Sequence, residues 1–375
     1  MKEGRKSMSA FPPARVPGDT PSSGAGEIVP RSSVIIVNYN GRKHLERCLP
    51  SLLREDRRDY QVILVDNAST DGSARYVEQF FPRVLVIRNH ANLGFGHGSN
   101  LGAQCAKGEY LVFLNPDTVV EPGWLDTLVA ALEADSQIGL ATSKILLLTD
   151  PERINTCGNA VHYTGVTLCR GARFHKSAFQ ETGEVDAVSG AAFAIKRKVF
   201  EELGGFDERF FLYMEDTDLS WRARLAGYQC LYVPQSIVYH DYTLRFGPAK
   251  TFYQERNRYL MLLKSLRWPT LIVLLPALML AELVTWGFVF LRERKRLANK
   301  LRAYVWIFTH WGQIMQSRRQ VQTLRRVRDR DLLIRCTHRL AFEQVESGPI
   351  SRLAHLVFDP LFFVFHRLAL ALIWW

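Results

Sequence analysis

The stretch that decides the fold reads YLVFLNPDT and covers Tyr110 to Thr118. Five residues without formal charge lead directly into Asn115-Pro116-Asp117. An apolar run of this length that ends in a turn signal is typical of a strand buried on both faces of a parallel sheet. Asp117 is then expected at the carboxyl end of a central strand, where open α/β sheets bind ligands. The alternative is that Asn-Pro-Asp serves only as a turn.

Three similar runs precede this strand, at 33–38 (SVIIVN), 61–66 (QVILVD) and 84–87. Helical stretches separate the runs, and strand and helix alternate at a spacing of roughly 25–30 residues, as in consecutive βαβ units. This alternation predicts right-handed parallel crossovers and a doubly wound α/β sheet. Between the third and fourth strands, Gly94, Gly96 and Gly98 are expected to serve loop geometry, with contacts to a phosphate as the alternative.

Beyond Gly139 the alternation loosens, and residues 150–184 are predicted to form a loop-rich insertion over the sheet. The small residues of 185–195 (VDAVSGAAFAI) would allow a ligand or a helix to approach closely. A helix over about 216–226 and strands at 229–233 and 237–240 are expected to follow.

Charge is distributed unevenly along the 375 residues, whose net charge is +11. Residues 245–375 hold 22 Lys+Arg against 8 Asp+Glu, whereas residues 1–244 hold 26 against 29. A near-neutral front part and a basic, aromatic-rich back part indicate an enzyme-like body with a surface-seeking tail. The Pro-, Gly- and Ser-rich segment 1–30 is predicted to be a disordered leader.

The six cysteines form no CxxC pair and are scattered through predicted helices and strands. Reduced thiols in a cytosolic compartment are therefore favoured over disulfides or a zinc site. They are Cys48, Cys105, Cys157, Cys169, Cys230 and Cys336.

Carboxylates from distant parts of the sequence fall at ends of predicted strands or in the helix that follows. They are Asp66, Asp117 and the cluster Glu215, Asp216 and Asp218. Several carboxylates in one crevice repel one another unless a cation lies among them, and a divalent metal on a diphosphate would remove that conflict. Neither GxGxxG at the first strand nor GxxxxGK[ST] is present, so side chains and a metal would have to hold a nucleotide.

Several motifs, in this order and spacing, resemble the inverting nucleotide-sugar glycosyltransferases of family 2, which have the GT-A fold. The motifs are VNYNG (37–41), VDNASTDGS (65–73), NLGFG (92–96), FLNPDT (113–118), SGAAFAIKR (189–197), GGFDERFFLYMEDTDLSWR (204–222) and His240. Within that family the sequence most resembles the bacterial rhamnosyltransferase-like branch, and the resemblance spans about residues 32–265. It implies a Rossmann-like, mostly parallel sheet flanked by helices.

The resemblance implies a role for each matching position. Asp66 would bind the nucleotide base. Asp117, the last position of an Asp-x-Asp signature whose first position is here Asn115, would bind Mg²⁺ or Mn²⁺ with His240. Asp216 would be the catalytic base, supported by Glu215. The remaining nucleotide-sugar contacts would be Val37, Asn38, Tyr39, Asn40, Asn67, Asn92, Gly94 and Asn115.

Inversion requires a base within reach of the acceptor hydroxyl, on the side of the sugar opposite the leaving diphosphate. The departing diphosphate requires positive charge, from the metal and an arginine such as Arg245. Structural alternatives remain for several residues. Asp66 could cap the following helix, Asp218 could pair with Arg222 four residues on, and His240 could be a hydrogen-bonded strand residue.

The apolar run 269–290 contains one charge, Glu282, and is long enough to span a bilayer. Basic residues flank both its ends, so an interfacial position is also possible. Residues 356–375 are apolar and aromatic but contain Asp359, His366 and Arg367, which indicates a position in the headgroup layer. Nothing in the basic tail resembles a nucleic-acid-binding fold, so no nucleic-acid partner is expected.

The resulting prediction is a GT-A domain over 31–266 and a basic, helical, membrane-associating region over 267–375. The chain is predicted to transfer a sugar, with rhamnose as the first choice, from a nucleotide-diphosphate donor to a glycan or glycolipid acceptor. It would act on the cytoplasmic face of a membrane, the bacterial inner membrane. A galactofuranosyl or N-acetylhexosaminyl transferase, an inactive sugar-nucleotide-binding scaffold and a nucleotide hydrolase are the alternatives.

Overall fold

The computed structural model describes residues 29–54, 59–242, 249–292, 294, 297–344 and 348–375. The strands are β1 (Ser32–Asn38), β2 (Tyr60–Asp66), β3 (Val84–Arg88), β4 (Tyr110–Leu114), β5 (Thr118–Val120), β6 (Ile138–Leu147), β7 (Asp150–Thr156), β8 (Asn159–Val161), β9 (Thr167–Cys169), β10 (Gly183–Glu184), β11 (Ala192–Lys196) and β12 (Gln229–His240). The helices are α1 (Arg42–Leu52), α2 (Ser73–Phe80), α3 (Gly94–Cys105), α4 (Trp124–Ala134), α5 (Arg197–Glu202), α6 (Glu215–Leu225), α7 (Lys250–Ser265), α8 (Trp268–Val273), α9 (Leu275–Arg292), α10 (Leu297–Thr309), α11 (Trp311–Leu324), α12 (Asp329–Leu333) and α13 (Pro349–Leu372). Residues 1–28, which make up most of the predicted leader, lie outside the described residues, and so does Arg245.

One sheet organises the chain, in the order β10-β12-β6-β11-β4-β1-β2-β3, with β5 on β12 and β7 on β6. β4, β1, β2 and β3 are parallel, as the sequence predicts. β11 runs antiparallel between β4 and β6, and β6 is parallel to β12. The sheet is therefore a parallel half joined to a mixed half, flanked by helices.

Alternate residues of β1 enter two different cores. Val34 and Ile36 pack with apolar residues of α1, α2 and α4 on one face, whereas Ile35 and Val37 pack with those of α3, α5 and α6 on the other. Because successive side chains of a strand point to opposite faces, both faces of the sheet are covered by helices. This layering leaves the carboxyl edge of the parallel strands as the accessible rim.

β6 corrects the expectation that order loosens after Gly139. All but the last of its ten residues are buried, although Thr142, Ser143 and Lys144 interrupt the apolar pattern. Each of the three is satisfied internally. Thr142 Oγ1 donates to the carbonyl of Ala192, Ser143 Oγ contacts Ser236 Oγ, and Lys144 Nζ donates to two carbonyls of the insertion. Polar side chains with internal partners can occupy a central strand.

Gly94, Gly96 and Gly98 lie in α3 rather than in a loop, which corrects a second expectation. A Cβ at Gly98 would lie 2.7 Å from Val37, and one at Gly94, where φ is +87°, would lie 2.4 Å from the carbonyl oxygen of Phe211. These glycines let α3 pack closely against β1 and against the segment before α6.

The C-terminal helices share an apolar core with the sheet domain. Side chains of α9 and α13 pack with Tyr163 after β8, Trp221 of α6 and Leu260 of α7. The apolar run 269–290 is divided at Leu274 between α8 and α9. By length and composition, the described helix that could cross a membrane is instead Ser351–Leu372 within α13. The expected single segment at 269–290 is thus not one continuous helix.

Candidate active site

The last residues of β1 and β2 form a polar corner at the carboxyl edge of the sheet. Asn38 and Asp66 are partners in the parallel register, and Asn38 Nδ2 donates to Asp66 Oδ1 over 3.1 Å. The N–H of Ser69 donates to Asp66 Oδ2 over 3.0 Å. Asp66 is buried and shapes the turn after β2, but α2 begins only at Ser73 and has no side-chain cap. The helix-cap alternative for Asp66 is therefore wrong.

Tyr39 and Asn40 extend this corner towards solvent. Asn40 has a left-handed backbone with φ of 52°, and its Oδ1 accepts from the N–H of Thr70 over 2.8 Å. The Tyr39 ring is exposed, while Val37 beneath it packs into the core. An exposed aromatic ring beside hydrogen-bonding groups is the kind of surface on which a planar base can stack.

Asn67, Asn92 and Gly94 connect the end of β2 to the start of α3. Asn67 Nδ2 donates to the carbonyl of Gly94 over 3.0 Å, and Asn89 Nδ2 donates to Asn67 Oδ1 over 2.7 Å. Asn92 Oδ1 accepts from the N–H of Gly94 over 3.0 Å. These groups are engaged within the protein, so they fix the position of α3. Their contact with a nucleotide sugar stays a prediction.

Asp117 and His240 face each other across the edge of the sheet. Asp117 follows β4 and His240 ends β12, and His240 Nε2 lies 3.2 Å from Asp117 Oδ1. His240 Nδ1 lies 2.9 Å from Asn155 Oδ1. Burial raises the pKa of Asp117, but the hydrogen bond from His240 and the nearby imidazoles outweigh it, so the pKa is lowered overall. Asp117 is thus held as a carboxylate.

This pair fits a divalent cation. With Nε2–H protonated, His240 can donate to Asp117 Oδ1. In the other tautomer Nδ1–H donates to Asn155 Oδ1, Nε2 presents a lone pair to the carboxylate, and a cation between the two acceptors would satisfy both. Carboxylate oxygen suits Mg²⁺ and Mn²⁺, and neutral imidazole is the commonest metal ligand among side chains. Across the described ranges, no three His, Cys, Asp or Glu side chains converge into a metal cluster. A cation here would therefore take its other ligands from a bound diphosphate and water.

Asp216 in the first turn of α6 is held by four hydrogen-bond donors. Its Oδ2 accepts from the N–H of Gly190 over 2.7 Å and from Asn159 Nδ2 over 3.2 Å. Its Oδ1 accepts from the N–H and the hydroxyl of Thr217, over 2.7 and 3.2 Å. Burial raises the pKa of Asp216, and the bonds from Gly190 and Thr217 oppose that rise, with a net upward shift. The carboxylate is oriented yet more basic than usual, which suits a proton acceptor.

The backbone before α6 is strained and is held from α7. Phe211, Tyr213 and Met214 have φ of 60°, 68° and 67°, a left-handed conformation that is costly for large side chains. Asn257 Nδ2 lies within 3.0 Å of the carbonyl oxygens of Phe210, Leu212 and Tyr213. Asn257 therefore clamps the segment that delivers Asp216.

Glu215 and Asp218 differ in their surroundings although both flank Asp216. Glu215 is buried and its Oε2 has no hydrogen-bond partner among the described residues. Burial, then the charges of Asp216 and Asp218, raise its pKa to about 8. Asp218 pairs with Arg222 Nε and Lys264 Nζ, each at 2.8 Å, which confirms its expected structural role.

One hydrogen bond and one close approach link the three carboxylate sites along one rim. The N–H of Asn115 donates to the carbonyl of Ala191, the residue after the Gly190 that binds Asp216. On the other side, a Cβ at Gly41 would lie between Asn38 Oδ1 and Pro116, at 2.4 and 3.9 Å. The corner at Asp66, the turn at Asp117 and the start of α6 are therefore neighbours.

Three asparagines that hold site residues were not predicted from the sequence: Asn155, Asn159 and Asn257. The first two lie on β7 and β8, in the segment expected to be loop-rich, and the third lies on α7. No local motif marks them, because each acts through a partner at least 44 residues away along the chain. The small residues around Gly190 did signal a close approach, and the atom that approaches is Asp216 Oδ2.

Residues 33–204 match the model of a family described as Glycosyl transferase family 2. An N-acetylglucosaminyl-diphospho-decaprenol L-rhamnosyltransferase of Mycobacterium tuberculosis is 32% identical over 238 residues, covering 55% of this chain and 75% of the relative. The O-antigen biosynthesis protein RfbC of Myxococcus xanthus is 32% identical over 231 residues, covering 57% of this chain and 18% of RfbC.

Solved structures with the same fold include GalNAc-T7 with UDP, GalNAc and Mn²⁺, at a TM-score of 0.52 and 24% identity over 64% of this chain and 48% of that one. Residues 1–349 of S. aureus TarS in complex with UDP-GlcNAc align with a TM-score of 0.53 and 17% identity over 90% of both chains. At these identities the likeness concerns the GT-A-like fold.

Proposed function

The chain belongs to glycosyl transferase family 2, and we propose that it transfers a sugar to a hydroxyl of a lipid-linked glycan with inversion at the anomeric carbon. It is a glycosyltransferase that uses a nucleotide sugar. Rhamnose is the first choice of sugar because the M. tuberculosis relative is a rhamnosyltransferase. That relative acts on a lipid-linked diphospho-sugar, which supports a similar acceptor here.

The observation that carries the proposal is the convergence of Asp66, the Asp117–His240 pair and Asp216 at one rim. A donor whose base lies at the Asp66 corner and whose diphosphate lies at Asp117 would direct its sugar towards Asp216. The resemblance assigns the same roles, and the hydrogen bonds of each carboxylate agree with them.

Asp216 is proposed to accept the proton of the acceptor hydroxyl. The acceptor oxygen forms a bond to the anomeric carbon as the bond to the diphosphate oxygen breaks, and the proton passes to the carboxylate. The Asn159 and Gly190 donors keep Oδ2 oriented throughout. Asp66, Asn38 and Tyr39 would bind the base and so position the donor.

Asp117 and His240 are proposed to hold Mg²⁺ or Mn²⁺. A divalent cation at this position supplies positive charge to the leaving diphosphate. GalNAc-T7, which shares the fold, was solved with Mn²⁺ and UDP.

Transfer itself tests the proposal. The purified chain is incubated with a panel of nucleotide sugars, a polyprenyl-diphosphate N-acetylglucosamine acceptor and Mn²⁺, and glycolipid products are identified by mass spectrometry. A rhamnosylated glycolipid is the expected product. A galactofuranosyl or N-acetylhexosaminyl product would keep the mechanism and change the donor.

Two results would contradict a transferase. Donor binding without turnover under any acceptor would indicate a sugar-nucleotide-binding scaffold. Donor turnover at a rate that ignores the acceptor would indicate a nucleotide hydrolase.

A further inference from the structure

α13 carries one apolar face towards the protein and another towards the outside. Its inner residues include Phe362, His366 and Ala369, and these are buried, as is Ile373 directly after the helix. The Tyr163 hydroxyl donates to the carbonyl of Phe362 over 3.0 Å, and His366 Nε2 lies 3.0 Å from the carbonyl of Leu333. The helix therefore lies along the body of the protein.

These inner contacts are incompatible with α13 crossing a bilayer. A spanning helix would have to leave the body, and its buried polar groups would then enter hydrocarbon. Asp359, which pairs with Arg339 outside the helix, would lose that partner and keep only His355 one turn away on α13. Unpaired polar groups in hydrocarbon are costly, so the length and composition of α13 do not make it a span.

α9 is attached to the same body by buried charges. Glu282, the charge within the apolar run, pairs with Arg258 of α7 and with Lys300 Nζ of α10 at 3.1 Å. The hydroxyls of Tyr259 and Tyr304 also donate to it. Arg258 and Lys300 are fully enclosed. Removing α9 from the body would break this cluster, so α9 too lies on the protein.

α9 and α13 contact each other, and each leaves a row of large apolar side chains exposed. We name these rows together the outer apolar surface. On α9 they are Leu275, Met279, Leu283 and Phe290, and on α13 they are Leu353, Leu356, Val357, Leu361, Phe363, Val364, Leu368 and Leu372. Leu356 alone retains 74% of its surface and Met279 66%. Patches of this extent mark interaction surfaces.

The charge around this surface identifies what it binds. Residues 245–375 hold 22 basic against 8 acidic residues, and buried pairs such as Glu282 with Lys300 and Asp329 with Arg325 take up charges of both signs, so an excess of positive charge remains. Exposed arginines of α12 and α13 include Arg330, Arg352 and Arg367. Apolar rows with excess positive charge fit the interface of an anionic bilayer.

We propose that the outer apolar surface docks the chain onto an anionic phospholipid bilayer without spanning it. The proposal rests on the proposed function in one respect, since that function explains why such docking would be useful. Tyr163, which contacts α13, follows β8, and Asn159 at the start of β8 donates to Asp216. β8 and Tyr163 thus connect the inner side of α13 to the proposed base, at which a lipid-linked acceptor would have to arrive.

Vesicle flotation of the full chain tests the docking surface. Binding to phosphatidylglycerol-containing vesicles should exceed binding to phosphatidylcholine vesicles and should weaken at high salt. Leu283→Glu and Leu356→Glu should each weaken partitioning at least about tenfold, since each withdraws one leucine from the apolar layer and adds a negative charge. Phe80→Glu, on exposed α2, is the matched control and should float like the parent.

Two measurements accompany flotation. The variants should keep the thermal stabilisation that a nucleotide sugar gives the parent, which shows that they are folded. Alkaline carbonate should release the bound parent chain from vesicles. If both variants float as the parent does, the proposal is overturned. The same holds if the parent chain stays on the vesicles after carbonate treatment, since that result indicates a membrane-spanning helix. Conversion of a dimer to a monomer by the variants, with flotation unchanged, would reassign the surface to a second copy of the chain.

The vesicles contain neither donor nor acceptor, so this result is independent of the transfer assay. Docking with no glycosyl transfer would contradict the proposed function alone. Transfer to a lipid-linked acceptor without vesicle docking would contradict this inference alone.

Discussion

Asp117 and Asp216 are carboxylates at one rim, but their surroundings differ in kind. Asp216 receives four hydrogen bonds from Gly190, Asn159 and Thr217, and burial raises its pKa. Asp117 faces one imidazole at 3.2 Å, which lowers its pKa. The first arrangement suits the proposed proton acceptor, whereas the second leaves an anion that suits the proposed cation site. The difference teaches that burial and neighbouring groups, rather than residue type, set the pKa of each of these two acids.

The largest expected effect is that of Asp216→Asn. The amide keeps the shape of the side chain but cannot accept the proton, so transfer should fall by about 10³-fold. Nucleotide-sugar binding should persist, because the variant leaves Asp66 and Asp117 in place. Rates are measured by product formation and binding by calorimetry. Retained transfer would remove Asp216 from the role of base.

Asp117→Ala tests the second carboxylate, at the proposed cation site. Transfer should fall by about 10²-fold, because the leaving diphosphate loses the charge held there. The additional thermal stabilisation by Mn²⁺ in the presence of a nucleoside diphosphate should disappear. Asp216→Asn is the matched control and should retain it. Equal Mn²⁺-dependent shifts in Asp117→Ala and in the parent would place the metal elsewhere.

Asn159, beside Asp216, and Asn155, beside His240, allow the surroundings of the two carboxylates to be tested separately. Asn159→Ala removes a donor to Asp216 Oδ2, so the pKa of Asp216 should rise further and the acid limb of the kcat profile should move to higher pH. We expect about a tenfold loss of kcat at neutral pH, less than the roughly 10²- to 10⁴-fold contribution of a positioned base, because the base itself remains.

Asn155→Ala is the control, because Asn155 contacts His240 instead. It should leave the acid limb in place and raise the Mn²⁺ concentration needed for activity. The same pH profile for both variants would show that Asn159 acts only through the fold.

The smallest expected effect concerns the stability contributed by Glu215. Its pKa is about 8 in the folded protein against an ordinary value of 4.5, so folding favours its protonated form. That contribution is complete below about pH 4.5 and is lost as pH rises towards 8. Glu215→Gln should therefore lose less thermal stability than the parent between these values. Glu46→Gln, on the exposed side of α1, serves as the comparison. Parallel melting curves for Glu215→Gln and the parent would contradict the buried, protonated side chain.

The sequence predicted the parallel half of the fold because each strand there is an uninterrupted apolar run ending in polar residues. It also predicted that acids at those ends converge, since parallel strands share a carboxyl edge. β6 was missed because Thr142, Ser143 and Lys144 are buried against partners that only the folded chain supplies. α8 and α9 were merged because the run 269–290 is apolar throughout, although Pro276 lies in the first turn of α9, where a helix can begin but cannot easily continue from a preceding one.

The clamp by Asn257 has a consequence for the order in which the protein is made. Three carbonyls of the strained segment before α6 depend on an amide that the ribosome adds more than forty residues later. A nascent chain can complete the polar corner at Asn38 and Asp66 long before it can hold Asp216 in position. During synthesis, the capacity to bind a nucleotide should therefore precede the capacity to use it.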